Sequence, residues 1–247
     1  MKKVYLSRQA HPALTSYLTT HGYAIEVVDH EGVTYYPVST HPDIFMCRLG
    51  VWENPVIFPG NLENITSSYP GNIIYNAVCT GKYFIHNLKH TDADLLNSAK
   101  AWKSALCGSA EGVAPSGELI IVDVPQGYTR CCCLPVDDTS FITSDQGIEK
   151  ALTAAGADVL LIGKGHIELP GFDYGFIGGC AGHVMIPSGN TSDDYNGHMV
   201  PTILFNGDLS NHPDFESIIG FINKRNLNIA YFEDYPLTDI GSIIALW

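Results

Sequence analysis

Apolar and polar positions along the chain follow one order that returns four times: a short apolar strand, a helix, a second apolar strand, a variable loop, and a short strand introduced by Asp. Self-similarity of this kind marks architectures whose units cannot bury their apolar faces alone. The first repeat runs from Val4-Tyr5-Leu6 through a helix from Pro12 to Thr20 and a strand from Ala24 to Val28, and ends at Pro42-Asp43-Ile44-Phe45-Met46. Another takes Tyr83 to Ile85, a helix from Asp92 to Ala105, Leu119 to Val122, and Asp137 to Ile142. A third takes Phe141 to Thr143, a helix from Gln146 to Ala155, Val159 to Ile162, and Phe172 to Ile177. The last takes Ile203 to Phe205, a helix from Pro213 to Lys224, Ile229 to Phe232, and Thr238 to Ile243. Between the first two lies a degenerate unit with Val56 to Phe58, a polar stretch from Asn61 to Ser68, Asn72 to Tyr75, and then Val78-Cys79.

Local chemistry supports these elements independently. Asp145 precedes Gln146 to Leu152 as an N-cap, and Gly156 follows as a C-cap glycine. Phe215, Ile218, Ile219 and Ile222 recur at offsets of three and four, which places them on one helix face. The second strands are apolar for four or five residues running, a pattern that predicts burial on both faces. Laid over its siblings, Cys79 falls where the other units carry Asp, so the five matching positions are Asp43, Cys79, Asp138, Asp173 and Asp239. A strand that begins the chain and one that ends it can then complete each other, which leaves no long open edge.

Composition narrows the class. With 45% hydrophobic and 16% charged residues, the 247-residue chain can bury a sizeable core, and the repeat assigns residues 1–247 to a single α/β domain. Thirteen basic residues against 26 acidic ones give a net charge of −13, which argues against a nucleic-acid partner. No stretch reaches the ~18 apolar residues of a membrane span, and Met1-Lys2-Lys3 leads into a short, mostly polar opening, so the expected setting is cytoplasmic, with no membrane partner. Seven cysteines without a C-x-x-C pair argue against a disulfide framework or a thiolate zinc site. The adjacent run Cys131 to Cys133 is taken as apolar filling. No dinucleotide, P-loop, serine-hydrolase or zincin motif occurs, and no cofactor is expected.

Strand-helix-strand units around a pseudo-five-fold axis, with functional residues at the start of inner strands, resemble the pentein fold of guanidino-group-modifying enzymes. That group includes arginine and agmatine deiminases, dimethylarginine dimethylaminohydrolases and amidinotransferases, and the fold also occurs in a non-catalytic ribosome anti-association factor. The resemblance implies a pseudo-five-fold β/α propeller and, in catalytic members, a His-x-Asp followed on a neighbouring blade by a nucleophilic Cys. Here His41-Pro42-Asp43 is followed one unit later by Cys79, and Phe176-Ile177-Gly178-Gly179-Cys180 keeps the two glycines of the group's Glu-Gly-Gly-Asp stretch.

The chemistry so implied is a hydrolase or transferase acting on the C–N bonds of a linear guanidino or amidino compound. Cys79 would attack the central carbon and His41 would move the proton, while Asp43, Asp138, Asp173 and Asp239 would hold the planar cation through paired N–H donors. Each residue also has a plainer role: the Asp residues as turn caps, Cys79 as an inert buried thiol, His41 as a loop residue. A rival pair is Cys180 with His183, set among small residues, whose side chains point to opposite faces in an extended strand. The polar loop Ser188 to His198, with Asp193, Asp194 and Tyr195, is taken as a solvated insertion without metal-ligand spacing. A second class stays open, a non-catalytic pentein-like protein that binds a small cation or a protein partner.

Overall fold

The repeated pattern folds into one ladder made four times over. In a computed structural model, which describes residues 2–108, 117–187 and 199–247, the chain is a mixed α/β structure of several small sheets and helices with no closed barrel. In chain order, the first unit holds β1 (Lys3–Ser7), α1 (Pro12–Thr20) and β2 (Ala24–Val28). The second holds α2 (Pro42–Phe45), β3 (Met46–Leu49) and β4 (Val56–Pro59). Then come β5 (Val78–Cys79), β6 (Tyr83–His86), α3 (Ala93–Gly108) and β7 (Ile120–Asp123). The fourth has α4 (Thr129–Cys132), β8 (Cys133–Pro135), β9 (Ser140–Thr143), α5 (Gln146–Ala154) and β10 (Asp158–Leu161). The last has β11 (Ala181–Pro187), β12 (Met199–Phe205), α6 (Phe215–Asn223), β13 (Asn228–Ala230) and finally β14 (Ile244–Leu246).

In each ladder a short inner strand runs antiparallel to a middle strand, which a helix joins to a parallel outer strand: β5-β6-β7, β8-β9-β10, β11-β12-β13, and β14-β1-β2. The chain's last strand thus completes its first sheet, as the pattern predicts. The second unit has only the antiparallel pair β3-β4, and β3 joins β5 in parallel through Leu49 and Cys79. Each of the four crossover helices buries the same i, i+4 pair completely: Leu14 and Leu18, Leu95 and Ala99, Ile148 and Leu152, Ile218 and Ile222. A fully buried Leu or Ile contributes about 1.5–3 kcal/mol, so these pairs fasten every helix to its ladder. The expected caps form as well. Asp145 accepts from Ile148 N, and Gly156 takes φ +82°.

Two expectations are corrected. The outer strands are not buried on both faces; Val27 in β2 and Leu161 in β10 are exposed. Each outer strand is the last of its ladder and pairs along one side only. Further, the strands expected at 42–46, 72–75, 172–177 and 238–243 are turns, bends or a single-turn helix that lead into the inner strands, which begin four to nine residues after the start of each segment. The segment from Asp137 is likewise a bend inside the β8-β9 turn, not the start of an inner strand. The loop Ser188 to His198 lies outside the described residues.

The five lead-in turns hydrogen-bond to one another in sequence order and return to the first. Asp43 Oʹs backbone carbonyl accepts from Asn76 Nδ2, and Asn76 O accepts from Arg130 N. Cys131 O accepts from Gly179 N, Gly179 O accepts from Ser242 N, and Gly241 O accepts from Asp43 N. This circuit forms a hub that places side chains from all five segments near one another. The hub is tightly made: a Cβ on Gly179 would lie 2.0 Å from Asp239 Oδ1, and one on Gly182 would lie 1.9 Å from Ile243 O. The run Gly178 to Gly182 is therefore small because neighbouring segments cross it closely.

Candidate active site

One face of the hub opens into a cavity of about 350 Å³. Its base is formed by His41, just before α2, by Cys131 in the third position of α4, and by Asp239 before β14. Among the described residues, these three could grip a metal ion, since one ligand atom from each lies within 4.8 Å of the others, and all three residues are buried. His41 Nδ1 stands 3.8 Å from Asp239 Oδ1. Beneath them lies the carboxylate of Asp43, whose Oδ2 accepts from Ser242 Oγ at 2.6 Å and from Cys131 Sγ at 3.1 Å. Asp239 is fixed by backbone donors, with Oδ1 accepting from Gly241 N and Oδ2 from Phe176 N.

Some polar atoms in this cluster are left free for a ligand. Both ring nitrogens of His41 and Oδ1 of Asp43 are buried without a hydrogen-bond partner. Buried polar groups are normally paired, so these atoms, beside or just beneath one cavity, can accept or donate to a ligand seated there. The walls are aromatic, from Tyr35, Tyr128, Phe172, Tyr174 and Phe176. Tyr35 and Tyr128 are joined through their hydroxyls at 2.6 Å, and Asn72 Nδ2 donates to Tyr128. Asp173 sits exposed at the rim, and among the described residues no Lys or Arg lines the cavity.

Burial sets the resting protonation. It pushes Asp239 up to about 6 and raises Asp43 above the ordinary carboxylate range, and it lowers His41 to about 4. The Cys131 thiol is held well above its ordinary value by burial first and then by the Asp43 and Asp239 carboxylates. Without a guest the site therefore holds a neutral imidazole and a protonated thiol. A cation seated between the carboxylates would reverse the field at the sulfur and favour thiolate.

Of the residues the sequence singles out, the hub brings together His41, Asp43 and Asp239, with Asp173 at the rim. It does not bring Cys79 to them. Cys79 ends β5, is buried against Gly50 and Cys47, and lines a different, smaller cavity. Asp138 sits in the β8-β9 turn, where its Oδ1 accepts from Gly81 N at 2.7 Å. Cys180 and His183 also part company: Cys180 Sγ donates to Ile177 O, whereas His183 Nε2 meets Pro135 O at 2.6 Å. The residues missed are Cys131 and Ser242. Cys131, expected as filling, occupies a lead-in turn as Asp43 does, and its sequence signal is its place just ahead of a short apolar strand.

The comparisons with known proteins add a family. A model described as a family of unknown function, DUF6873, matches residues 56–244, and the chain belongs to that family. The matched range includes Cys131, Asp239 and Ser242; His41 and Asp43 precede it. No curated protein matches the chain. No solved structure matches it either.

Proposed function

We propose that this chain is a pentein-like hydrolase or transferase acting on a guanidino or amidino compound, with Cys131 as nucleophile and His41 as proton carrier. One observation carries the proposal: His41, Cys131 and Asp239 meet above Asp43 at the base of an aromatic-walled cavity. The four repeated ladders and the five-membered hydrogen-bond circuit support a pseudo-five-fold arrangement. Cavity charge supports the ligand class, because a carboxylate with no Lys or Arg among the described lining residues favours a cation over an anionic group.

In the proposed reaction Asp239 accepts N–H donors from the planar cation and holds its central carbon over Cys131, while Asp43 beneath them adds its charge. The thiol proton passes to His41 as sulfur bonds to that carbon. His41 then delivers the proton to the departing amine, and the C–N bond breaks to leave a thiouronium on Cys131. Water, deprotonated by His41, attacks this carbon and regenerates the thiol; an amine in place of water gives transfer. The raised thiol pKa keeps the free site unreactive, and a bound cation, by offsetting the Asp43 and Asp239 charges, makes the loaded site reactive.

A second reading is favoured by that same raised pKa, namely a non-catalytic binder of a small cation in which Cys131 stays protonated. Two measurements separate them. The first compares alkylation of native protein by a cationic haloacetamidine and by the neutral haloacetamide of equal size, with and without a chelator. The enzyme reading expects Cys131 to be modified faster by the cation, whether or not metal is removed. The second is release of ammonia or amine from a guanidino and amidino panel; cation binding without turnover in every case would favour the binder.

A further inference from the structure

The opposite side of the hub has the reverse charge. There a cavity of about 20 Å³ is lined by Arg48, Arg130 and His183, together with the thiols of Cys47 and Cys79. The volume suits one water-sized particle. The chain has four arginines, and two of them, Arg8 and Arg225, form ion pairs with carboxylates. Among the described residues Arg48 and Arg130 have no carboxylate partner; both line this cavity. Their contacts are neutral. Arg48 Nη2 donates to Val51 O at 2.8 Å and its guanidinium lies 4.6 Å from the Trp247 ring centre. Arg130 donates to Gly178 O and Ala181 O.

Arg130 feels the Asp239 carboxylate only at a distance, without an ion pair, and two like charges facing one small space with no carboxylate in contact are costly unless something negative occupies it. The strain registers on Arg48 and His183. Burial and the charge of Arg130 push Arg48 down to about 9, and burial with both guanidinium charges holds His183 well below its ordinary value. The Nε of Arg48 is buried with no hydrogen-bond partner. A water molecule would satisfy that donor and bring no negative charge into the cavity. We propose that a small monovalent anion of halide size binds between Arg48 and Arg130 and holds β3, α4 and β11 together from the side away from the candidate active site.

The test uses the full chain. Crystals soaked in sodium bromide are expected to show an anomalous peak in this cavity. In solution, exchanging a bulky organic anion for chloride at constant ionic strength is expected to raise the Tm of the wild type along a saturable curve. Arg48→Gln is expected to lose that dependence and to melt near the wild type in chloride-free buffer. Absence of the bromide peak, or an equal chloride response in wild type and Arg48→Gln, would overturn the proposal. If Arg48→Gln does not fold, the bromide experiment on the wild type decides alone.

Discussion

The two sides of the hub are built from the same five segments and differ in where along each segment a residue stands. Lead-in residues, His41, Asp43, Cys131 and Asp239, face the large cavity or lie beneath it and carry potential negative charge. Residues a few positions later, such as Arg48, Cys79 and His183, lie along the inner strands and line the small cavity, whose charge is positive. Cysteines occur on both sides, so residue type alone does not identify a nucleophile. The thiol proposed as nucleophile is the one beside a histidine and two carboxylates, with an open space above it. Three positions along a segment separate the equivalent of Asn76, in the circuit, from Cys79, outside it.

The sharpest break in this comparison is a pair of matched substitutions. Cys131→Ser is expected to lower turnover of any substrate found by the panel by on the order of 10³-fold or more, as removal of a nucleophile does. Cys79→Ser should leave the rate within a factor of about two, with any loss confined to Tm. Equal loss in both, measured as kcat/KM, would return the nucleophile to the other side. His41→Asn is expected to cost about 10²–10⁴-fold in kcat, the usual contribution of a positioned acid-base group. Its stability at neutral pH should hardly fall, because His41 makes no hydrogen bond that the change would break.

A smaller effect concerns protons. Asp239 is raised to about 6, so on acidification the folded chain takes up its proton before the unfolded chain does, and stability rises as pH falls through that value towards about 4. His41 is lowered to about 4, so the unfolded chain takes up its proton first, near about 6.5, and stability falls over much the same window. The two contributions oppose each other in the wild type. Removing one exposes the other. Against the wild type, Asp239→Asn should lose about 3 kcal/mol between pH 7 and 4, and His41→Asn should gain about as much. Other buried histidines contribute to every variant and cancel in the difference. Parallel stability curves from chemical denaturation at several pH values would show that the two groups are not buried as described.

Periodicity made the ladders legible because each helix repeats one buried i, i+4 pair and each middle strand one apolar run. Caps such as Asp145 and Gly156 were legible for the same reason, since they act within a few residues. The lead-in turns were not. They are fixed by hydrogen bonds between units distant in sequence, such as Gly179 N to Cys131 O, and these leave no local pattern. Matching units by a shared Asp therefore reached two residues of the cluster, Asp43 and Asp239, although the circuit makes Ser242 rather than Asp239 the counterpart of Asp43, and it also drew in Asp138, whose carboxylate caps a turn. Cys131 was obscured by its neighbours: Cys132 and Cys133 pack in the core with Phe141 and Ile148, as filling does.

Asp138 supplies the mildest test of how the two kinds of Asp differ. Its side chain is exposed and accepts from Gly81 N at 2.7 Å, which ties the β8-β9 turn to the turn between β5 and β6. A Cβ at Gly81 would stand 2.3 Å from Asp138 Oδ2, so the carboxylate lies against bare backbone with no room for a planar cation between them. Asp138→Ala should therefore cost about 1 kcal/mol of stability, the net worth of one such hydrogen bond. It should leave KM for a cationic substrate unchanged. A several-fold rise in KM at constant kcat would instead place Asp138 within reach of the bound cation and make the acidic surface wider than the hub.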